Sequence, residues 1–168
     1  MAEEGAIDKK NALWRFSLNY YSTPDVPDIC LFLQDNYNVD VNILLLILWL
    51  AASGKSLSVD EIAEIDRHVK HWRDTVIVPL RMIRRSIPKP EEASSRLAFR
   101  ANLKKLELES ERIEQDDLFS QFRTHTGVAP DPVAARKGLD AYASYLGSSF
   151  QHDAVARLLS IYEAFRTI

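Results

Sequence analysis

Apolar residues recur along this chain at intervals of three and four, and the period-two alternation of a half-buried strand is absent. The pattern predicts seven helical segments packed as an all-α bundle within one domain spanning residues 1–168. The first should run from about Lys9 to Tyr21 and stop before Pro24. The second, Pro24 to Tyr37, places Val26, Ile29, Cys30, Leu33 and Tyr37 on one face. The third begins after Asp40, a candidate N-cap, and ends at Gly54. Ser58 opens the fourth with a capping box, "SVDE", in which Glu61 reaches back. Its seam is Ile62, Ile65, Val69, Trp72 and Val76, and Pro79 is expected to kink or break it, with helix on both sides through Arg85. "PKPEE" starts a long fifth segment reaching about His125, with Pro90 early and Glu91 and Glu92 in its first turn. After the loop "THTGVAPDP", Asp131 caps and Pro132 opens the sixth. The seventh, from about Phe150, presents Val155, Leu158, Leu159, Tyr162 and Phe165.

The stretch "VDVNILLLILWLAASGKS" at 39–56 admits three readings. Its uninterrupted apolar run, Ile43 to Ala52, is half the roughly 20 residues a bilayer span needs. Its "SGKS" ending resembles a phosphate-binding loop, but the first glycine of that motif is replaced by Trp49, and the preceding element is a helix where the motif requires a strand. What remains is a helix apolar all round and therefore surrounded by others. Asn42 in its first turn is then a buried amide that needs partners. Either Asp40 and Asn42 cap and brace the helix, or they line a polar pocket at the mouth of the bundle.

Composition narrows the function classes. The 168 residues carry a net charge of −3, against the basic excess of a general nucleic-acid binder. The single cysteine, Cys30, excludes an intrachain disulfide or a cysteine-rich metal site, and it falls on an apolar helical face. The N-terminal "MAEEGAIDKKNALW" resembles neither a secretory signal nor a transit peptide, so a cytoplasmic protein is expected. No G-x-S-x-G elbow is present. Glu64, His68 and His71 share one side of a helix, but the pair of E-x-x-H motifs that a two-metal carboxylate bundle needs does not exist in this chain, and a solvated face explains them. No catalytic residue, metal ligand or cofactor is assigned.

Charge is unevenly spread. Arg81, Arg84, Arg85, Lys89, Arg96, Arg100, Lys104 and Lys105 make one basic stretch, and Glu107, Glu109, Glu111, Glu114, Asp116 and Asp117 an acidic one directly after it. A solvated surface helix is the plain explanation. A helix so polarised also suits antiparallel pairing with its own copy, with Phe99, Leu103, Leu106 and Ile113 as a seam that Ser110 and Asp117 interrupt. Arg96, Arg100, Lys104, Lys105, Glu107 and Glu111 are the expected partner-binding residues. Arg73, Arg81 and Arg84 recur across Pro79, and arginine forks suit phosphates and carboxylates. They either bind an anionic ligand or pair with the acidic helix.

"LWRFSLNYYSTPDV", "CLFLQDNYNVDVNILLLILWL", "WRDTVIVPLRMIRRSI" and "LKKLELESERIEQ" together resemble an uncharacterised proteobacterial family carrying a domain of unknown function. The likeness covers about residues 13 to 120, with W-R-F, L-Q-D and D-V-N-x-L-L-L as its most specific parts. It implies a bacterial, cytosolic helical protein and carries no catalytic residue with it. Trp14, Arg15, Gln34, Asp35, Asp40 and Asn42 in those motifs are either fold determinants or the wall of a pocket. The expected function is a self-associating interaction or adaptor module with a protein partner or homodimer. The alternative is a binder of, or enzyme on, a small anionic or phosphorylated ligand, using Gln34, Asp40, Asn42, Arg73, Arg81 and Arg84.

Overall fold

A computed structural model describes residues 11–88, 95–122, 131 and 133–166. These form α1 (Ala12–Tyr21), α2 (Val26–Tyr37), α3 (Val41–Ala51), α4 (Val59–Trp72), a π-helical segment (Arg73–Ile77), α5 (Val78–Ser86), α6 (Ser95–Phe122), α7 (Ala134–Tyr145) and α8 (His152–Arg166). Backbone dihedrals stay helical from α4 through α5, so the described residues make seven rods in an all-α bundle. The expected helix starts at Lys9, Pro90 and Pro132, the end at His125 and most of the loop at 124–132 lie outside the described residues.

α3 is the axis of the bundle. Nine of its side chains, Asn42 to Leu48 with Leu50 and Ala51, are buried. Leucine and isoleucine on every face force neighbours on every side, and α1, α2, α6 and α7 all pack against it. Asp40 caps its start, accepting from the Asn42 amide at 2.8 Å. Its end is a Schellman turn. Gly54 takes φ +83°, Gly54 N–H donates to Ala51 O at 2.9 Å and Lys55 N–H to Leu50 O at 3.2 Å. At 11 residues α3 is far short of a bilayer, and no helix among the described residues is long and apolar enough to cross one.

Three buried tyrosines set the other helices around this axis. Tyr162 Oη donates to Leu48 O at 2.7 Å, Tyr20 Oη donates to Leu158 O at 2.9 Å, and Tyr142 Oη accepts from Asp40 N–H at 2.8 Å. Each hydroxyl lies on a main-chain group whose solvation the core has removed, so each bond is costly to lose.

Pro79 does not break the fourth rod. The turn before it widens to a π-helix, closed by Val78 N–H donating to Arg73 O, and this gives the proline ring room where an α-turn would clash. The seam shifts accordingly: Ile62, Ile65 and Val69 are buried as expected, but Ile77 rather than Val76 continues the row. The capping box at Ser58 and Glu61 forms in both directions. α2 starts later than expected, because Asp25 adopts φ +71° and Val26 is the first helical residue.

α5 buries none of its nine residues, and Ser95 to Asn102 in α6 are exposed except half-buried Arg100. These two stretches form an antiparallel arm standing off the core. Against the axis itself, Gly138 of α7 lets two helices approach closely: a methyl added there would lie 2.6 Å from Ile47 Cγ2. Gly138→Ala should therefore destabilise the protein by about 1–3 kcal/mol through overpacking, despite the higher helix propensity of alanine. Denaturant unfolding measures this, and an unchanged midpoint would mean that α3 and α7 separate without cost.

Candidate functional site

The fourth rod carries an arginine into a nearly closed space. Arg73, the first π-helical residue, places Nη1 2.9 Å from Asp40 Oδ2 and 2.6 Å from Asp66 Oδ1. Asp66 lies seven residues earlier on the same face, within the row of Ile62, Ile65 and Val69. Tyr145 Oη donates to the other Asp66 oxygen at 2.7 Å. Burial works against the guanidinium charge, but Asp40 and Asp66 more than offset it and hold Arg73 firmly protonated.

Asp40 is the meeting point. One oxygen caps α3, the other takes Arg73, and its own amide donates to Tyr142. Next to it Asn42 Oδ1 accepts from Gln115 Nε2 of α6 at 2.9 Å, both side chains being buried. Beside them lies Glu114, fully buried, with neither carboxylate oxygen in a hydrogen bond. Burial, and after it the charge of Asp40, push the Glu114 carboxyl far above the ordinary carboxylate range, so it is neutral at pH 7. Gln115 Oε1 and Ser17 Oγ of α1 are likewise buried without a partner.

A second polar layer ties α5 to α6. Arg81 Nε donates to Glu107 Oε1 at 3.0 Å and its Nη2 to Glu111 Oε1 at 2.9 Å, while Arg84 bonds both Glu107 oxygens. Burial raises the Glu107 carboxyl, but hydrogen bonds from Arg84 and Arg81 outweigh it and hold it below its usual range. One turn further, Trp72 Nε1 donates to Ser110 O at 2.9 Å, locking α6 on the fourth rod.

These placements sort the expected site residues. Asp40, Asn42 and Arg73 converge, but on each other and on Asp66, Gln115 and Tyr142. Arg81 and Arg84 converge on Glu107, with Arg81 also holding Glu111, and belong to a separate layer. Gln34, half-buried on α2, joins neither. Of the motif residues in α1 and α2, Trp14 is core, Arg15 is exposed, and Asp35 meets Arg85 in an exposed pair at 3.3 Å. Arg100 donates to Ile87 O at 3.2 Å, whereas Arg96, Lys104 and Lys105 are exposed with no ion pair among the described residues. Cys30 is buried, and burial pushes its thiol up to about 12, so no thiolate is available near neutral pH.

Sequence reasoning missed Asp66, Glu114, Gln115, Tyr142 and Tyr145. Asp66 had a signal, since it interrupts an apolar row seven residues before Arg73. Glu114 had none, being one acid among six. The tyrosines come from a distant helix with no local mark.

Two consequences are measurable. Asn42→Ala leaves Gln115 Nε2 without its acceptor in the core and should cost about 1–3 kcal/mol. A melting temperature equal to wild type would remove that bond from the stability of the fold. Glu114 binds its proton more tightly folded than unfolded. Its contribution is therefore complete at pH below the unfolded value and is lost as pH rises toward the folded one, by up to about 1.4 kcal/mol per pH unit. Glu114→Gln, which needs no proton, should accordingly be more stable than wild type at pH 8, with the gap closing near pH 4. Urea unfolding across that range tests this, and a gap independent of pH would show an ordinary carboxylate.

Neither a curated protein nor a solved structure matches this chain. A family match covers residues 12–118, from α1 into α6, so it takes in both polar layers while leaving Tyr142 and Tyr145 outside. By that match the chain belongs to a protein family of unknown function, DUF2390.

Proposed function

We propose that this is a bacterial, cytoplasmic interaction module that acts by binding another polypeptide through the α5–α6 arm, not by catalysis. The carrying observation is what that arm leaves uncovered. Met82 is 66% exposed, Phe99 and Leu106 are 55%, and Ile83 and Leu108 are 48%. Isolated exposed apolar residues are unremarkable, but Phe99 and Leu106, seven residues apart on one face of α6, on a hairpin whose other helix exposes Met82 and Ile83, make a surface of the kind that marks an interface. Leu108 lies on the opposite face of α6. Arg96 and Lys105 flank the face of Phe99 and Leu106, and both are exposed.

The ligand-binding alternative draws less support. Its arginines are neutralised by carboxylates of the same chain, and Asp40 and Asn42 spend their bonds on fold contacts. None of its six residues lines the cleft at the tip of the arm or the one between α2 and α8. The cytoplasmic location rests on the cysteine count, since the one thiol is free and buried.

Native mass spectrometry of protein taken gently from the cells that express it tests this reading. The wild-type chain should carry an additional polypeptide. Phe99→Asp combined with Leu106→Asp should run as a bare monomer with an unchanged melting temperature, because both side chains lie outside the core. A bare wild-type chain would overturn the proposal, and a co-purifying small molecule or metal would return the ligand reading.

A further inference from the structure

The arm could be covered by a second copy or by a different protein, and the charges on α6 distinguish the two. Antiparallel self-pairing needs the acidic half of one α6 to be free for the basic half of the other. It is not free. Glu107 and Glu111 are held by Arg81 and Arg84, Glu109 and Asp116 by Arg112, and Glu114 is buried. Of the six acids, Glu114 and Asp117 have no ion pair among the described residues, and of these two only Asp117 is exposed. The basic half is in the opposite condition, with Arg96, Lys104 and Lys105 exposed and without ion pairs there. The helix thus leaves Arg96, Lys104 and Lys105 unpaired among the described residues, while four of its six acids are engaged by arginines of the same chain.

The apolar surface has a matching shape. A cleft of about 560 Å³ opens between the end of α5 and the start of α6, lined by Ser86, Ile87, Pro88, Ser95, Arg96 and Phe99. Leu106 continues the row of Phe99 two turns further along α6, about 10 Å away at helical rise, and Ile83 stands one turn before Ile87 on α5. The cleft is therefore the deep end of an elongated apolar track with Arg96 at its rim and Lys105 beside Leu106.

From these features we infer that the occupant of the arm is an acidic amphipathic helix of a partner protein, resting on the interaction reading above. Its apolar residues, spaced by three, four and seven, enter the cleft and lie along Phe99 and Leu106. Its carboxylates meet Arg96 and Lys105, which flank that face on its two sides. A phosphate-rich surface fits less well. Glu109 and Asp117 stand exposed further along the same helix, and the chain as a whole carries −3.

Placing photo-reactive benzoylphenylalanine at position 99 of the full chain, in the cells that express it, and sequencing the cross-linked product tests this directly. The expected product joins position 99 to a peptide of another protein that is net acidic and apolar at helical spacing. Arg96→Glu with Lys105→Glu should cut its yield about tenfold, by replacing attraction with repulsion at the rim. Cross-links to the chain's own α6, to lipid or to nucleic acid would each overturn the inference, as would a yield indifferent to charge reversal. A cross-linked protein segment that is not acidic would leave the interaction reading standing while this inference falls. If the wild-type chain also flies bare and no cross-link forms, both fall.

Discussion

The structure depends on one carboxylate. Asp40 stands where α3, the fourth rod and α7 come together, and it bonds all three: the Asn42 amide, the Arg73 guanidinium and, through its own backbone, the Tyr142 hydroxyl. An N-cap at a helix surface contributes about 1 kcal/mol. Here the same side chain also neutralises a cation that burial would otherwise penalise, so removing it would leave Arg73 with only Asp66 and the more exposed Asp74. Broken buried pairs cost more than they contribute when intact. Apolar packing around α3 supplies the bulk of the stability, but apolar surfaces slide. The bonds at Asp40 fix which turn of each helix meets the start of α3.

Glu114 shows the cost of building a polar layer in the core. A fully buried carboxyl without a hydrogen bond is stable only with its proton on, and Asp40 alongside enforces that. The chain thus places two neighbouring carboxyls differently, Asp40 bonded to Arg73 and Glu114 buried and neutral beside it. The same division recurs at Glu107, whose burial is offset by two arginines. In both places the environment, and not the residue type, decides whether charge is present.

Much of this fold was legible along the chain because helical signals are local. The run from Ile43 identified the axis, Asp40 and Gly54 marked its ends, and Ser58 with Glu61 marked the next start. Pro79 was visible as a disturbance, but its outcome was not. Whether a proline kinks a helix or widens the turn before it depends on what the neighbouring residues grip, and Arg73 grips groups from other elements. The candidate site was half legible for the same reason. Asp40, Asn42 and Arg73 stood out individually, yet the sequence pattern has no means of pairing Asn42 with Gln115 across 73 positions. Nor could it tell that Glu107 and Glu111 would be spent inside the protein. Charge along a helix reads as surface until a neighbouring helix is placed beside it.

The family match ends at residue 118, whereas the axis it contains is not enclosed by that segment. Ile47 packs on Gly138, the Asp40 amide needs Tyr142, and the Leu48 carbonyl takes Tyr162, all three from α7 and α8. Without those helices, one flank of a rod that is leucine and isoleucine on every side would face water. The segment that carries the family likeness therefore shares its core with helices that lie beyond it, and the wall that closes its central rod is drawn from a region where that likeness has stopped.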